Sequence, residues 1–364
     1  MKRRDFISSL GAAGLLLNLK PVYGYPGTAA PLNILVLGGT DFLGPAVVGA
    51  GMAAGHRITL FNRGITNPQL FSELPLIRGD REKGRGAYAP LLSNHWDVVI
   101  DVWPQQSELV DQATSVLRSH TDHYLFVSSV SVYRDFTIPG VSESHPLTPL
   151  PDDQSKWEYP EEKVAAEKLV AERFPDAHTI LRPGPIKGWR DPAKDLLYWL
   201  LKLRRGERVL APGDGNDPLQ FIDVKDVGRF AIHAAETRLH GAYNCVGPMG
   251  SDLTWREFLT RASRHLASDS QLVWSSREQL EALGARPWVH FPLWAPLSDD
   301  AFMQISAAKA LAAGFNHTPL EQTLSDCLAW HSQQGFSEAE LGPEGNGMGL
   351  ERERELELLE QLTD

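Results

Sequence analysis

The chain has 364 residues, 42% hydrophobic and 22% charged, with a formal net charge of −11. That is the composition of a globular chain, and at ~150 residues per domain it allows two or three domains, or one large α/β domain with an appended lobe. The acidic balance argues against a nucleic-acid binder, which needs a basic face, and two distant cysteines, Cys245 and Cys327, exclude a disulfide framework or a Cys-rich zinc site.

Lys2, Arg3 and Arg4 precede a short, mostly apolar run from Phe6 to Leu19, followed by small residues around Gly24, Ala29 and Ala30. The run is shorter than the ~20 residues a membrane span needs. Residues 1–30 therefore read as a secretory signal. Arg3-Arg4-Asp5-Phe6-Ile7 resembles the twin-arginine export signal in particular; a basic leading helix is the alternative. The resemblance implies a periplasmic or otherwise exported protein, with the export machinery as a partner and no stable membrane insertion. That route carries folded proteins, often with a cofactor bound.

Asn33 to Leu37 is a short apolar run of the buried parallel-strand type. A glycine turn follows, then a helical stretch from Pro45 to Ala54, then a second strand from Arg57 to Phe61. Such a βαβ unit presents backbone amides to a pyrophosphate at the helix N-terminus. Gly38, Gly39, Thr40, Asp41, Phe42, Leu43 and Gly44 are thus cofactor-binding candidates. Asp41 stands where a middle glycine is common, and its carboxylate suits a pyrophosphate only by turning away or capping helix amides. The acid expected ~20 residues on, for the ribose hydroxyls, is missing. The second strand ends instead in Asn62-Arg63. Asn62 suits ribose hydroxyls; Arg63 suits a 2′-phosphate or an adenine face, with a solvated loop charge as the alternative. NAD is the expected cofactor, and NADP stays open.

Leu76 to Asp80, Trp96 to Val102 and Tyr124 to Val127 read as the next three strands, with a helix over 107–119. The alternation predicts an α/β fold with a Rossmann-type doubly wound parallel sheet. The fifth strand runs into Ser128-Ser129-Val130-Ser131-Val132-Tyr133. Tyr159-Pro160-Glu161-Glu162-Lys163 then opens a helical stretch to Arg173. The i, i+4 spacing puts Tyr159 and Lys163 on one helix face. A phenol titrates at ~10 when free, so a nearby cation favours its phenolate. Pro160 fits the first helical position, which leaves Tyr159 at the cap.

In their order, the segments GGTDFLG, SSVSVY, YPEEK, LRPGPIKG and PLQFIDVKDV resemble the extended short-chain dehydrogenase/reductase superfamily, in its NAD-dependent epimerase/dehydratase family. The resemblance runs from about Asn33 to Gly247. It implies Tyr159 as acid/base, Lys163 as the cation that favours its phenolate and holds the nicotinamide ribose, and Ser129 as the hydroxyl on the reacting oxygen. Ser128 and Ser131 rank below Ser129. Arg182, Pro183 and Gly184 would flank the nicotinamide, and Asp80 would meet the adenine. The implied activity is transient hydride transfer at a sugar carbinol carbon. The implied partners are a sugar or glycan-derived substrate and a second copy of the chain, docked through helices flanking the sheet. An NADPH-dependent reductase of a small carbonyl compound and a non-catalytic binding protein on the same fold are the alternatives.

Beyond Gly184 the alternation breaks into a helix over 195–205, a turn cluster at 213–218 and a strand over 220–224. Residues 31–182 are read as the dinucleotide-binding domain and 183–335 as a smaller substrate-binding lobe, partly interleaved with the sheet. Residues 336–364 are read as a charged tail ending in a solvated helix. Trp103, Trp157, Trp189 and Gln220 are the substrate candidates, with Asp223, Trp288 and Trp294 near the expected cleft; core packing is the alternative for each tryptophan. His120 and His123 have no acidic partner at ligand spacing, so they read as surface residues and no metal is expected.

Overall fold

The computed structural model describes residues 30–102, 105–335 and 347–362. The signal-like segment and Trp103 lie outside them. Apolar runs set the sheet. β1 (Asn33–Leu37), β2 (Arg57–Asn62), β3 (Leu76–Arg78), β4 (Val98–Asp101), β5 (Tyr124–Val127) and β6 (His178–Pro183) pair in parallel with a later strand, β10 (Gly241–Cys245). The order is β10-β6-β5-β4-β1-β2-β3. β1, β4 and β5 are apolar almost throughout and buried on both faces, which helices on both sides require. α1 (Leu43–Ala53) and α5 (Val224–Thr237) cover one face; α2 (Ser107–Leu117) and α3 (Tyr159–Arg173) cover the other. β1 lies between β2 and β4, so strand order reverses there, and the crevice beyond their C-terminal ends is where a ligand fits.

The second lobe is built on β8 (Arg208–Pro212) paired with β11 (Gln271–Ser275). α4 (Asp195–Arg204), α6 (Trp255–His265), α7 (Arg277–Ala282) and α9 (Leu320–Gln334) enclose its core, centred on Trp199, Trp255 and Phe291. α8 (Ala308–Ala312) leans on β10. Two-residue strands β7 (Ile186–Lys187) and β9 (Ile222–Asp223) join the lobes.

Several expectations need correction. The strand expected over 220–224 shrinks to β9, because the Asp223 carboxylate accepts the Lys225 amide at 2.7 Å and starts α5. Asp223 also accepts the Thr323 hydroxyl at 2.6 Å and is buried, so it does not face the cleft. α5 packs on α1 and β10 pairs with β6, the interleaving of 183–335 with the sheet being part of the expectation rather than a departure from it. The terminal helix Arg352–Gln361 is docked rather than solvated: Leu358 and Leu359 are buried, and buried Glu355 accepts Lys202 and the Leu210 amide, each at 2.9 Å. His123 is buried, with its Nε2 2.8 Å from the Thr179 hydroxyl, and burial pulls its pKa down to about 4. Among the described residues no helix is long and apolar enough to cross a membrane.

Candidate active site

The glycine turn sits at the end of β1. Gly38 and Gly39 have φ of +110° and +100°, the left-handed region that favours glycine. Gly44 is pressed onto the turn: a Cβ there would stand 2.5 Å from the Gly39 Cα. α1 starts directly behind with no acidic residue in its first turn and no side-chain cap, so its amides face open space. That is an anion seat with room for close approach, and it fits a pyrophosphate.

The Asp41 carboxylate does not cap those amides; the residue is exposed on the rim, and its carbonyl accepts Arg190 Nε at 3.3 Å. Asn62 braces the turn. Its Nδ2 donates to the Gly38 carbonyl at 2.7 Å and its Oδ1 accepts the Gly64 amide at 2.8 Å. The side chain expected to bind ribose hydroxyls is therefore engaged at both ends. Arg63 and Asp80 line the same cavity, and Asp80 caps its own turn by accepting the Glu82 amide at 3.1 Å.

One cavity of about 450 Å³ joins the glycine turn to Ser129, Tyr159 and Lys163. α3 begins at Tyr159, preceded by Glu158, whose side chain caps the helix in exchange for Glu161. Tyr159 is thus the first helical residue rather than the cap, and Pro160 fits beside it. Glu162 accepts the Ser107 amide at 2.6 Å, which ties the start of α3 to the start of α2. Tyr159 is 42% exposed, open to an incoming molecule. Burial of its hydroxyl end raises the phenol above its ordinary value, and a hydrogen bond with Ser129 draws it part of the way back. Ser129 Oγ also accepts the Ser131 amide and donates to the Ser131 hydroxyl, both at 3.1 Å. Ser128 lines the cavity.

Lys163 is buried. Its Nζ donates to the Val127 carbonyl at 3.0 Å and lies 5.7 Å from the centre of the Tyr159 ring. Burial pulls Lys163 down to about 8, against the opposing pull of Asp101 and Glu167. The ammonium is thus anchored beside the phenol and close to its own titration at neutral pH.

The other sequence candidates divide. Pro183 and Gly184 line the cavity. Arg182 does not: it is buried in a two-pronged ion pair with Glu167, at 2.9 and 2.6 Å, and donates to the Tyr133 hydroxyl at 3.1 Å. Gln220 is spent on backbone, donating to the carbonyls of Gly247 at 3.0 Å and Ile305 at 2.9 Å and accepting the Ile305 amide at 3.0 Å. Trp157 donates to the Pro151 carbonyl at 2.9 Å, and Trp189 packs between Arg190 and Lys225; neither lines the cavity. Trp294 is a core residue whose Nε1 donates to Asp217 at 2.8 Å, and Trp288 meets the edge of Phe302.

Sequence reasoning missed the cavity wall behind Lys163. Arg81 donates to both oxygens of fully buried Asp101, at 2.7 and 2.9 Å, and the Tyr124 hydroxyl donates to Asp101 at 2.7 Å. Burial works against the Arg81 charge, but Asp101 more than offsets it and holds the guanidinium above its ordinary value. The signal was a carboxylate closing the apolar run Val98-Val99-Ile100, a position that demands a partner.

A glycine turn at the switch point of a parallel sheet, with a hydroxyl, a phenol and an ammonium at the far end of one cavity, is the layout of a dinucleotide site on a Rossmann-type fold. The chain belongs to the NAD dependent epimerase/dehydratase family, whose profile matches residues 34–246. That family is NAD-dependent. The chain is 25% identical over 220 residues to chloroplast stem-loop binding protein of 41 kDa b from Arabidopsis thaliana, a match spanning 56% of this chain and about half (55%) of that relative. Its fold is similar to that of UDP-N-acetylglucosamine 4-epimerase from Bacillus cereus (TM-score 0.60, 17% identity, 82% of this chain and 99% of that one). It is also similar to UDP-glucose 4-epimerase from Thermus thermophilus, solved as its NAD complex (TM-score 0.59, 18% identity, 82% and 98%).

Proposed function

We propose that this chain catalyses transient hydride transfer at a sugar carbinol carbon, holds its dinucleotide tightly through each cycle, and works outside the cytoplasm. The observation that carries the reading is the meeting of Ser129, Tyr159 and Lys163 at one end of the cavity that begins at the glycine turn. The dinucleotide, when bound along that cavity, supplies the hydride acceptor and donor. Glycines 38, 39 and 44 and the open amides of α1 would hold its pyrophosphate. Ser129 orients the reacting oxygen by a hydrogen bond. Tyr159 takes the proton from that oxygen and returns it, and its exposed face admits the substrate. Lys163, anchored on the Val127 carbonyl, stabilises the phenolate by charge.

Residues 1–30 support the export reading through Arg3-Arg4 and the short apolar run. Outside the cytoplasm free dinucleotide is not resupplied, so a redox-neutral conversion of a free sugar or glycan end fits better than net oxidation. A second copy docked through helices flanking the sheet is the expected assembly. The stem-loop binding in the plant relative's name is not carried over, because a net charge of −11 works against binding a polyanion.

Mass spectrometry of small molecules released from the native protein, with cell fractionation, tests the reading. A co-purifying dinucleotide in the exported fraction is expected. Protein that neither retains nor binds a dinucleotide refutes the enzymatic reading; a wholly cytoplasmic protein refutes export alone.

A further inference from the structure

Behind Lys163 lies a closed set of buried charges that the proposed chemistry leaves without a role. Asp101 ends β4 and is fully buried. Its register partner on β5 is Phe126, and the Lys163 Nζ stands 4.9 Å from the centre of the Phe126 ring. The Tyr124 hydroxyl, two residues earlier on β5, donates to Asp101 at 2.7 Å. Tyr124 and Phe126 both point into the layer between the sheet and helices α2 and α3. The carboxylate and the ammonium therefore share that layer.

A buried carboxylate and a buried ammonium in one layer are natural partners. Here Arg81, from the turn after β3, takes both Asp101 oxygens, at 2.7 and 2.9 Å. Arg81 is pinned in turn, donating to the Tyr88 hydroxyl at 2.8 Å and to the Leu109 carbonyl at 3.0 Å. Lys163 donates instead to the Val127 carbonyl at 3.0 Å, with its Nζ 5.7 Å from the centre of the Tyr159 ring. The remaining charges are Glu167 on the same helix and Arg182 on β6, which close on each other at 2.9 and 2.6 Å. Burial raises the Tyr88 and Tyr124 phenols, so both stay neutral. Asp101 and Glu167 attract the Lys163 charge and Arg81 repels it. Burial alone favours the neutral amine, which has no charge to offer a phenolate.

We propose that Asp101 is a positioning residue for the proton transfer at Tyr159: it keeps Lys163 charged in its buried seat, while the Arg81 clamp stops the carboxylate from drawing the ammonium away from the phenol. The inference rests on the roles given above to Tyr159 and Lys163. It assigns a task to a buried ion pair that packing alone does not require, since apolar side chains fill such a layer equally well.

NMR titration of isotope-labelled lysine side chains in the ligand-free full chain tests it without any turnover. The Lys163 signal is the one that disappears in Lys163→Met, and its midpoint should stand at about 8. Asp101→Asn keeps the shape of the side chain and removes its charge, so the midpoint should fall by ~1 pH unit or more. Arg81→Gln removes the repulsion, so the midpoint should rise. A merely structural role gives another pattern: loosened packing admits water, and the midpoint climbs toward 10.5 in both variants. A rise or no change in Asp101→Asn therefore overturns the proposal. Where Asp101→Asn strands the Arg81 charge and does not fold, Asp101→Leu combined with Arg81→Met removes both charges and keeps the layer filled. Asp101 attracts Lys163 more than Arg81 repels it, so the midpoint should still fall, and an unchanged midpoint overturns the proposal equally. Either refutation leaves the dinucleotide reading standing, because retention of the dinucleotide is measured separately and does not depend on these titrations.

Discussion

Gly44 and Gly49 share helix α1, and the structure predicts opposite outcomes when each gains a methyl group. A Cβ on Gly44 would stand 2.5 Å from the Gly39 Cα, 2.6 Å from its carbonyl carbon and 2.8 Å from its nitrogen. Comfortable carbon contacts lie at ~3.5–4.0 Å, so the turn would have to retreat by ~1 Å. All three atoms are backbone, and no rotamer change relieves them. Overpacking of this kind costs ~1–3 kcal/mol, and the retreat displaces the amides that face the pyrophosphate. At Gly49 nothing lies within 4 Å of the added carbon. Alanine there gains ~0.8–1 kcal/mol in helix propensity. The two variants should therefore differ by ~2–4 kcal/mol. At ~2 °C per kcal/mol for a chain of this size, that is ~4–8 °C in Tm. Calorimetric melting with a parallel dinucleotide titration reads both effects. Gly44→Ala should melt early and bind at least ~10-fold more weakly; Gly49→Ala should melt late and bind normally. If Gly44→Ala melts and binds like the parent, the packing of helix against turn is wrong, and the anion seat with it.

Tyr159→Phe should lower turnover by ~10²–10⁴-fold with the circular dichroism spectrum and dinucleotide affinity unchanged; undiminished turnover removes the acid/base role. Lys163 has its pKa pulled from 10.5 to about 8 by burial, so its contribution to stability is full above pH 10.5 and lost as pH falls through 8. Lys163→Met should therefore stabilise the ligand-free protein at pH 7 by up to ~3 kcal/mol, less the bond to Val127, with the gain fading by pH 10.5; a pH-independent difference in denaturant midpoint refutes the burial argument. Glu167→Leu strands the Arg182 charge and should cost ~3–5 kcal/mol, and adding Arg182→Met should recover most of it; additive losses in denaturant titrations would mean that the two groups do not interact. Burial holds His123 at about 4 against an ordinary 6.5, so its stabilising contribution is complete above pH 6.5 and falls away toward pH 4, by ~3 kcal/mol at most. His123→Leu should flatten that slope in urea titrations, and an unchanged slope would place the acid sensitivity elsewhere.

The parallel sheet and the cavity's glycine floor were legible because both are local. Asn33 to Leu37 and the turn after it carry their own periodicity and backbone demands. The Ser129–Tyr159–Lys163 grouping was legible through the order of motifs, although its closeness is made by β5 and α3 lying side by side. Other polar residues near strand ends were harder. Arg182 and Pro183 are consecutive on β6, but only Pro183 reaches the cavity, and chain order does not say which face a side chain takes. Gln220 read as a cleft residue because its true partners, the backbone of Gly247 and Ile305, are distant in sequence. His123 sits in the polar run Ser119-His120-Thr121-Asp122, yet it is buried against Thr179 on the neighbouring strand. The terminal helix looked solvated because its charges dominate, and its dock was hidden in a single buried carboxylate, Glu355, that finds Lys202 across the lobe.

The return of α5 and β10 to the sheet has a consequence for biosynthesis. Both are encoded after α4 and β8 of the other lobe. A nascent polypeptide leaving the ribosome cannot shield α1 or complete the sheet until Cys245 has emerged, and the second core waits for residues 347–362. Chains released before that point expose β6 as a bare edge, ready to pair with a neighbour. The cavity lining, which ends at Ile186, is thus synthesised well before the strand and helix that complete the layer beneath it.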